Sequence, residues 1–199
     1  MKVNVDPTSV TVQLWQHVYR TSDVFRQCMN HVFEKYNITS EQFDVLSTVK
    51  YRDDRADMTA IAKWLKRSTN SVSMLVDRMV RAGLVKRIRD KKDRRVVYVL
   101  ATSKGESILE EASPPCWELV QQILSPLSYE DRLVLVNLLD IVSYKALEYL
   151  NPGKHIEEIR ASDAKRHVEV MKRVPSRARI TTSKAKRQGN QKRKTIRAG

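Results

Sequence analysis

Apolar residues recur along this chain at helical spacing for long stretches, and the period changes only once. From residue 10 to residue 36, Leu14/Trp15, Val18, Phe25, Cys28/Met29, Val32/Phe33 and Tyr36 fall on one helical face. That pattern predicts a helix over 10–36, longer than the average globular helix and of a length that often packs against a partner chain. A complete start signal follows. Thr39 stands where an N-cap belongs, with Gln42 three residues on, a capping box, and Ile38 and Phe43 are placed to form the hydrophobic staple. The helix they begin carries Phe43, Val45, Leu46 and Val49 and ends in the charged run 52–55. Met58, Ile61, Ala62 and Leu65 mark a short helix over 59–66. After a tight turn, Ser68 is the expected N-cap of the next helix, whose inner face is Val72, Leu75, Val76 and Met79. Gly83 sits where a left-handed C′ residue belongs, and Leu84 can pack back on Met79 in a Schellman stop. Two helices joined by so short a turn make a helix-turn-helix.

The period then changes from 3.6 to 2. Residues 84–89 and 96–100 are β-prone, and the turn between them, 90–95, reads Asp-Lys-Lys-Asp-Arg-Arg. Thr102 caps a following helix over 103–112. Pro114 and Pro115 lack amide hydrogens and crowd the preceding turn, so a break or sharp kink is expected there. Helical pattern resumes at Trp117, Val120, Ile123 and Leu124. A last long helix starts near Ser128 and holds Leu133, Val134, Leu135, Val136, Leu138, Leu139, Ile141 and Val142. Apolar on nearly every side, it needs cover that a chain this short hardly supplies, which points to a dimer interface. Asn151-Pro152-Gly153 closes the domain. Residues 153–174 read as a further helix or linker. Residues 175–199 are rich in Lys, Arg, Ser, Thr and Gln, lack the apolar content to offset their ordering entropy, and are expected to form a disordered basic tail.

Composition narrows the function. Between Thr8 and Ser113 there is no proline, and before Asn151 the only glycines are Gly83 and Gly105, which fits a mainly helical fold. Cys28 and Cys116 make no disulfide framework, and the scattered histidines make no metal motif, so neither a metal nor another cofactor is expected. There is no signal-peptide core and no apolar run of membrane-spanning length, so a cytoplasmic protein with no membrane partner is expected. No paired acid/base motif, phosphate loop or nucleophile elbow supports an enzyme. The formal net charge is +14, and it is unevenly spread. Residues 67–95 hold ten Lys/Arg against three Asp, and residues 172–199 hold eleven Lys/Arg and no acid. The rest is mildly acidic. Two basic patches, one inside a folding motif, are the electrostatic mark of a nucleic-acid binder.

The expected partner is double-stranded DNA. A helix fits the major groove, where its N-terminal residues touch base edges. Ser68, Thr69, Asn70, Ser71, Ser73 and Met74 offer short polar groups and a thioether there: Asn70 suits adenine, Ser73 suits either base type, and Met74 or the Thr69 methyl suits a thymine methyl. Arg78, and Arg81 beyond it, suit phosphates. In the hairpin turn, Lys91, Lys92, Asp93, Arg94 and Arg95 suit the minor groove, whose narrow A·T-rich stretches attract arginine. Asp93 is expected to aim the Arg95 guanidinium by a charge-assisted hydrogen bond. A different reading is a non-specific or architectural DNA-binding protein whose affinity comes from the basic tail.

These residues carry a resemblance. Residues 10–150 resemble the MarR family of transcriptional regulators. The family's Asp-x-Arg wing pattern is met by Asp93-Arg94-Arg95, after Asp90. Its Leu-Thr-x-x-Gly pattern is met by Leu100, Thr102 and Gly105, with an extra alanine after Leu100. Ser73, Val76, Asp77, Arg78, Met79 and Gly83-Leu84-Val85 match its recognition-helix pattern. The resemblance implies a mainly α fold with a small β-hairpin wing, a winged helix-turn-helix carried on a helical dimerisation domain. It implies a MarR-like region over 1–152, with a DNA-binding lobe at about 39–102 and dimerisation helices at about 10–36 and 103–150. It implies a homodimer on a palindromic operator, usually a repressor, with release by a small-molecule effector or by cysteine oxidation. Cys28, on the first helix, is the candidate redox sensor; its other reading is a core cysteine. The Pro114-Pro115 pair and the tail depart from the family pattern.

Overall fold

The computed structural model describes residues 6, 8–51 and 56–153, with positions 156–158, 160, 161, 164 and 168 beyond them. Its elements, in chain order, are α1 (Val10–Phe33), a 3-10 turn (Glu34–Tyr36), α2 (Ser40–Tyr51), β1 (Ala56–Asp57), α3 (Met58–Leu65), α4 (Thr69–Arg81), β2 (Val85–Arg89), β3 (Val97–Ala101), α5 (Ser103–Leu124) and α6 (Tyr129–Leu150). The chain divides into two compact units, residues 1–119 and 120–199. The fold is mainly α with a small antiparallel sheet, as the sequence predicts.

The first unit closes around the faces that the apolar spacing marks out. Phe33, Val45, Leu46, Ile61, Val72, Val76, Met79, Leu84, Val85, Val99 and Leu109 are fully buried together. Phe33 stacks on Phe43, with centroids 4.5 Å apart, and so ties α1 to α2. The capping box is present: the Thr39 amide donates to Gln42 Oε1 (2.9 Å) and the Gln42 amide to Thr39 Oγ1 (3.3 Å). The first helix is three residues shorter than its pattern. Its last turn tightens into the 3-10 segment, and Asn37 turns the chain at φ 53° in the left-handed region. Ala56 and Asp57 form a strand that the sequence does not announce. They pair with Val99 and Tyr98 and make the sheet three-stranded, in the order β1-β3-β2. Two residues are too few for an alternating pattern, and the pairing exists because β3 offers a free edge. Asp57 also accepts from the Ala60 amide (2.6 Å), which caps α3.

The end of α4 is locked to the start of α5. Leu84 N–H donates to Met79 O (2.9 Å) and Gly83 N–H to Val80 O (3.0 Å), with Gly83 at φ 70°, which is the expected Schellman stop. The Thr102 hydroxyl donates to Gly83 O (2.6 Å) and accepts from the Gly105 amide (3.1 Å). Lys104 Nζ donates to Ala82 O (2.9 Å). Gly105 lies so close that a Cβ there would stand 2.1 Å from the Leu84 carbonyl oxygen.

Helix α5 does not break at Pro114 and Pro115, contrary to the sequence expectation. Proline at 115 leaves the Glu111 carbonyl without its intrahelical donor, and the Tyr36 hydroxyl supplies one at 3.0 Å. Ser113 Oγ donates to Leu109 O (2.5 Å). Leu109, Ala112 and Cys116 stay buried along one stripe through the proline pair, so packing holds the helix straight enough to continue.

In the second unit, Ser128 and Asp131 form a capping box at the start of α6. Hydrogen bonds from the Ser128 hydroxyl and amide hold the Asp131 carboxyl below the usual carboxylate range. Helix α6 buries none of its residues; Leu139 is 44% and Ile141 62% exposed. The positions described between 156 and 168 are helical, and the Arg160 guanidinium lies over the Tyr144 ring. The rest of 153–174 beyond Gly153, and the whole tail 175–199, lie outside the described residues.

The α4–α5 lock makes a direct prediction. Gly105→Ala must push a backbone carbonyl aside and should cost about 2 kcal/mol or more. That corresponds to a fall in Tm of roughly 4–8 °C by circular dichroism. A melt unchanged from wild type would show that the junction is looser than this geometry.

Candidate nucleic-acid interface

Helix α4 separates its residues cleanly. Val72, Leu75, Val76 and Met79 face the core. Asn70, Ser73, Met74, Asp77 and Arg81 share the opposite stripe at helical spacing, with Arg78 on its edge. Met74 is 68% exposed. Lys66 closes α3 in the left-handed region at φ 53°, which makes the turn into Ser68 tight. Ser68 is the N-cap: its Oγ accepts from the Ser71 amide at 3.2 Å and lies 2.8 Å from Ser71 Oγ. Two of the predicted polar residues are thus engaged with each other. Thr69 and Asn70 are exposed, and among the described residues neither makes a side-chain hydrogen bond.

A depression of about 430 Å³ lies beside this stripe, between the N-terminus of α2 and the front of α4. Thr39, Glu41, Gln42, Arg67, Ser71, Met74, Leu75 and Arg78 line it. Ser71, Met74 and Arg78 are on this face as helical spacing predicts, while Thr39, Gln42 and Arg67 join it only through the fold. The signal for Arg67 was there, since it directly precedes the N-cap. Arg67 pairs with Glu41 at 3.6 Å. Burial pushes the Glu41 carboxyl up. Hydrogen bonds from its own amide and from Thr39, with the charges of Arg67 and Arg26, outweigh burial and hold it below the usual carboxylate range.

Strands β2 and β3 pair antiparallel from Val85↔Ala101 to Arg89↔Val97, so the turn 90–96 stands at the outer end of the hairpin. Lys91, Lys92, Asp93, Arg94 and Arg95 are all exposed there. The acids shape the turn. Asp90 Oδ1 accepts from the amides of Lys92 (2.7 Å) and Asp93 (3.0 Å), and Asp93 Oδ1 accepts from the Arg95 amide (3.0 Å). The expectation that Asp93 aims the Arg95 guanidinium is therefore corrected. Two residues along a turn, the backbone N–H is nearer to the carboxylate than the end of a long side chain, so Asp93 fixes the backbone of the turn. Further in, Arg87 Nη1 meets Asp77 Oδ1 at 2.5 Å and ties the hairpin to α4.

Cys28 is half-buried on α1, away from these elements in sequence, while Cys116 is 4% exposed in the core with its Sγ 4.0 Å from Met29 Sδ. Burial, and then the charge of Asp44, push the Cys116 thiol up to about 12. Among the described residues no group of His, Cys, Asp and Glu is placed to hold a metal ion. No described helix is long and apolar enough to cross a membrane.

The MarR family model matches residues 36–96, from the end of the 3-10 turn through the hairpin turn. The HTH-type transcriptional regulator MgrA of Staphylococcus aureus is 35% identical over 109 residues, which span 54% of this chain and 74% of that one. The chain belongs to the MarR family. It is a DNA-binding transcriptional regulator with a winged helix-turn-helix, and its relatives are regulators rather than enzymes. Among solved structures, the S. aureus MepR–DNA complex is similar at TM-score 0.60 and 27% identity, covering 65% of this regulator and 96% of that chain. A mutant E. coli MarR complexed with operator DNA shares the fold at TM-score 0.63 and 23% identity, covering 69% and 99%.

The two thiols of the regulator should behave differently. At pH 8 Cys116, neutral and buried, should resist iodoacetamide in the native protein and react once the chain is unfolded. Peptide mass mapping checks this, and labelling of native Cys116 as fast as Cys28 would contradict the packing described.

Proposed function

We propose that this MarR-family regulator binds a palindromic operator as a homodimer and represses transcription. In this reading the front of α4 enters the major groove and the hairpin turn enters the flanking minor groove. The carrying observation is the division of α4 into a buried apolar face and an opposite stripe of exposed Asn70 and Met74 with half-buried Ser73 between them, and Arg78 beside it. Thr69 and Asn70, free at the helix N-terminus, suit base edges, and Ser68 and Ser71 serve mainly to start the helix there. Arg67, Arg78, Lys91, Lys92 and Arg94 suit phosphates, while Arg95 suits the minor groove. Asp93 holds the turn that presents it. The S. aureus MepR structure, a complex with DNA, supports DNA as the partner.

The lobe at about 39–102 would make these contacts, and the helices at about 10–36 and 103–150 would join two subunits. What supports the dimer is the cover α6 lacks. Its Leu133, Leu135, Leu139 and Val142 are exposed, as are Leu14, Trp15 and Tyr19 at the start of α1. A two-fold dimer reads a two-fold site, with half-sites about one helical turn apart. The repressive direction rests on the family resemblance.

Three measurements follow. Arg95→Ala should weaken operator binding by at least ~1 kcal/mol, about fivefold, in fluorescence anisotropy on a duplex selected from genomic DNA. Unchanged affinity would remove the wing from the site. In analytical ultracentrifugation the regulator should sediment as a dimer and Leu139→Asp should shift it toward monomer; a monomeric wild type would end the dimer reading. Deleting residues 175–199, with their surplus of Lys and Arg, should flatten the salt dependence of binding and leave sequence preference intact. Loss of most of the binding would favour a non-specific DNA-binding protein driven by the tail.

A further inference from the structure

We infer that Asp77 and Arg87 are positioning residues that set the reach between α4 and the tip of the hairpin, so that one DNA duplex meets both at once. The inference rests on the proposed reading of those two elements as the DNA-contacting ones.

Asp77 is a carboxylate on the otherwise neutral or basic front of α4, where left alone it would repel a phosphate backbone. It is not left alone. Arg87 comes from the middle of β2 and places Nη1 against Asp77 Oδ1, while Nη2 lies 3.5 Å from the Ser73 carbonyl. Ser73 and Asp77 are one turn apart on the same helical face. A planar guanidinium held at two points one turn apart restrains the rotation of the helix as well as its distance from the strand.

The strand geometry says what the brace holds. Side chains alternate along a strand, so Arg87 leaves β2 on the same face as buried Val85. The hairpin is anchored in the core by Val85 and Val99, and Arg87 pairs with Val99. Beyond that pair, Ile88 and Arg89 are exposed, and the turn that carries Arg95 follows at once. Arg87 is thus the outermost described side chain of β2 with a hydrogen bond to α4. Without it, β2 loses this tie to α4 and the outer hairpin can lean relative to the helix. The pair is half exposed and so adds little to global stability. Its effect belongs to geometry, which makes it separable by experiment.

The test is a double-mutant cycle on the full chain. Dissociation constants for one operator duplex at fixed salt are measured for wild type, Asp77→Ala, Arg95→Ala and the double variant, with Tm recorded for each. If the brace positions the wing, Arg95→Ala costs at least fivefold in wild type and less than twofold in the Asp77→Ala background, at unchanged Tm. Equal losses in both backgrounds overturn the inference and leave the pair a surface ion pair. No loss from Arg95→Ala in wild type overturns the reading of the wing itself, a different failure. Should Asp77→Ala not fold, Arg87→Met, which keeps the apolar stem and removes the fork, runs the same cycle with the same two outcomes.

Discussion

The oxygen atoms at the end of α4 place the rest of the first unit. The Gly83 and Leu84 carbonyls receive the Thr102 hydroxyl, and the Leu84 carbonyl also receives the Thr102 amide. Gly105 comes close enough that no side chain fits between it and Leu84. Helix α4, the hairpin and α5 therefore meet at one point with little freedom. The hairpin leaves this junction at Val85 and returns to it at Ala101, so the strands can swing only about their inner ends. Such a junction matters for the position of the hairpin tip, because small errors at the base grow along the hairpin.

Acidic residues near the basic surface serve placement. Asp90 and Asp93 bind backbone amides and shape the turn, Asp77 meets Arg87, and Glu41 meets Arg67. Each carboxylate lowers the net positive charge of the face. In return it fixes a loop or a guanidinium whose position matters. Charge alone makes a surface attractive to any DNA, while the order of the charges decides which duplex geometry fits.

The chain solves a second problem in α5. Two successive prolines cost the helix two amide donors, yet the apolar stripe of Leu109, Ala112 and Cys116 runs on without interruption. The Tyr36 hydroxyl, at the far end of the 3-10 turn, supplies a donor to Glu111. Local chemistry argues for a break, and packing together with one distant hydroxyl overrides it. Helix α6 shows the opposite balance. Its local signals are strong and met by the Ser128 capping box, but its apolar side chains lie open and ask for a partner surface.

Most of the fold was legible in the residues because local signals agreed with one another. The Thr39–Gln42 box, the Ser68 cap, the Gly83 stop and the change of period from α4 to the hairpin are short-range devices, decided by neighbours within a few residues. The exposed face of α4 followed from helical spacing alone. What the residues did not disclose were contacts between segments far apart in sequence. Among these are the strand at Ala56–Asp57, the continuity of α5 through Pro114-Pro115, the Arg87–Asp77 brace and the place of Arg67 beside α4. The role of Asp93 is not legible in the sequence because a carboxylate near an arginine has two possible donors, and only the turn's folded path shows that the backbone amide is the one in reach. The sequence by itself determined the starts of α2 and α4, the stop at Gly83 and the hairpin, since those choices are settled over a turn or two of chain. Tertiary structure alone decided which distant donor meets which acceptor, because that depends on how the packed core brings separate segments together.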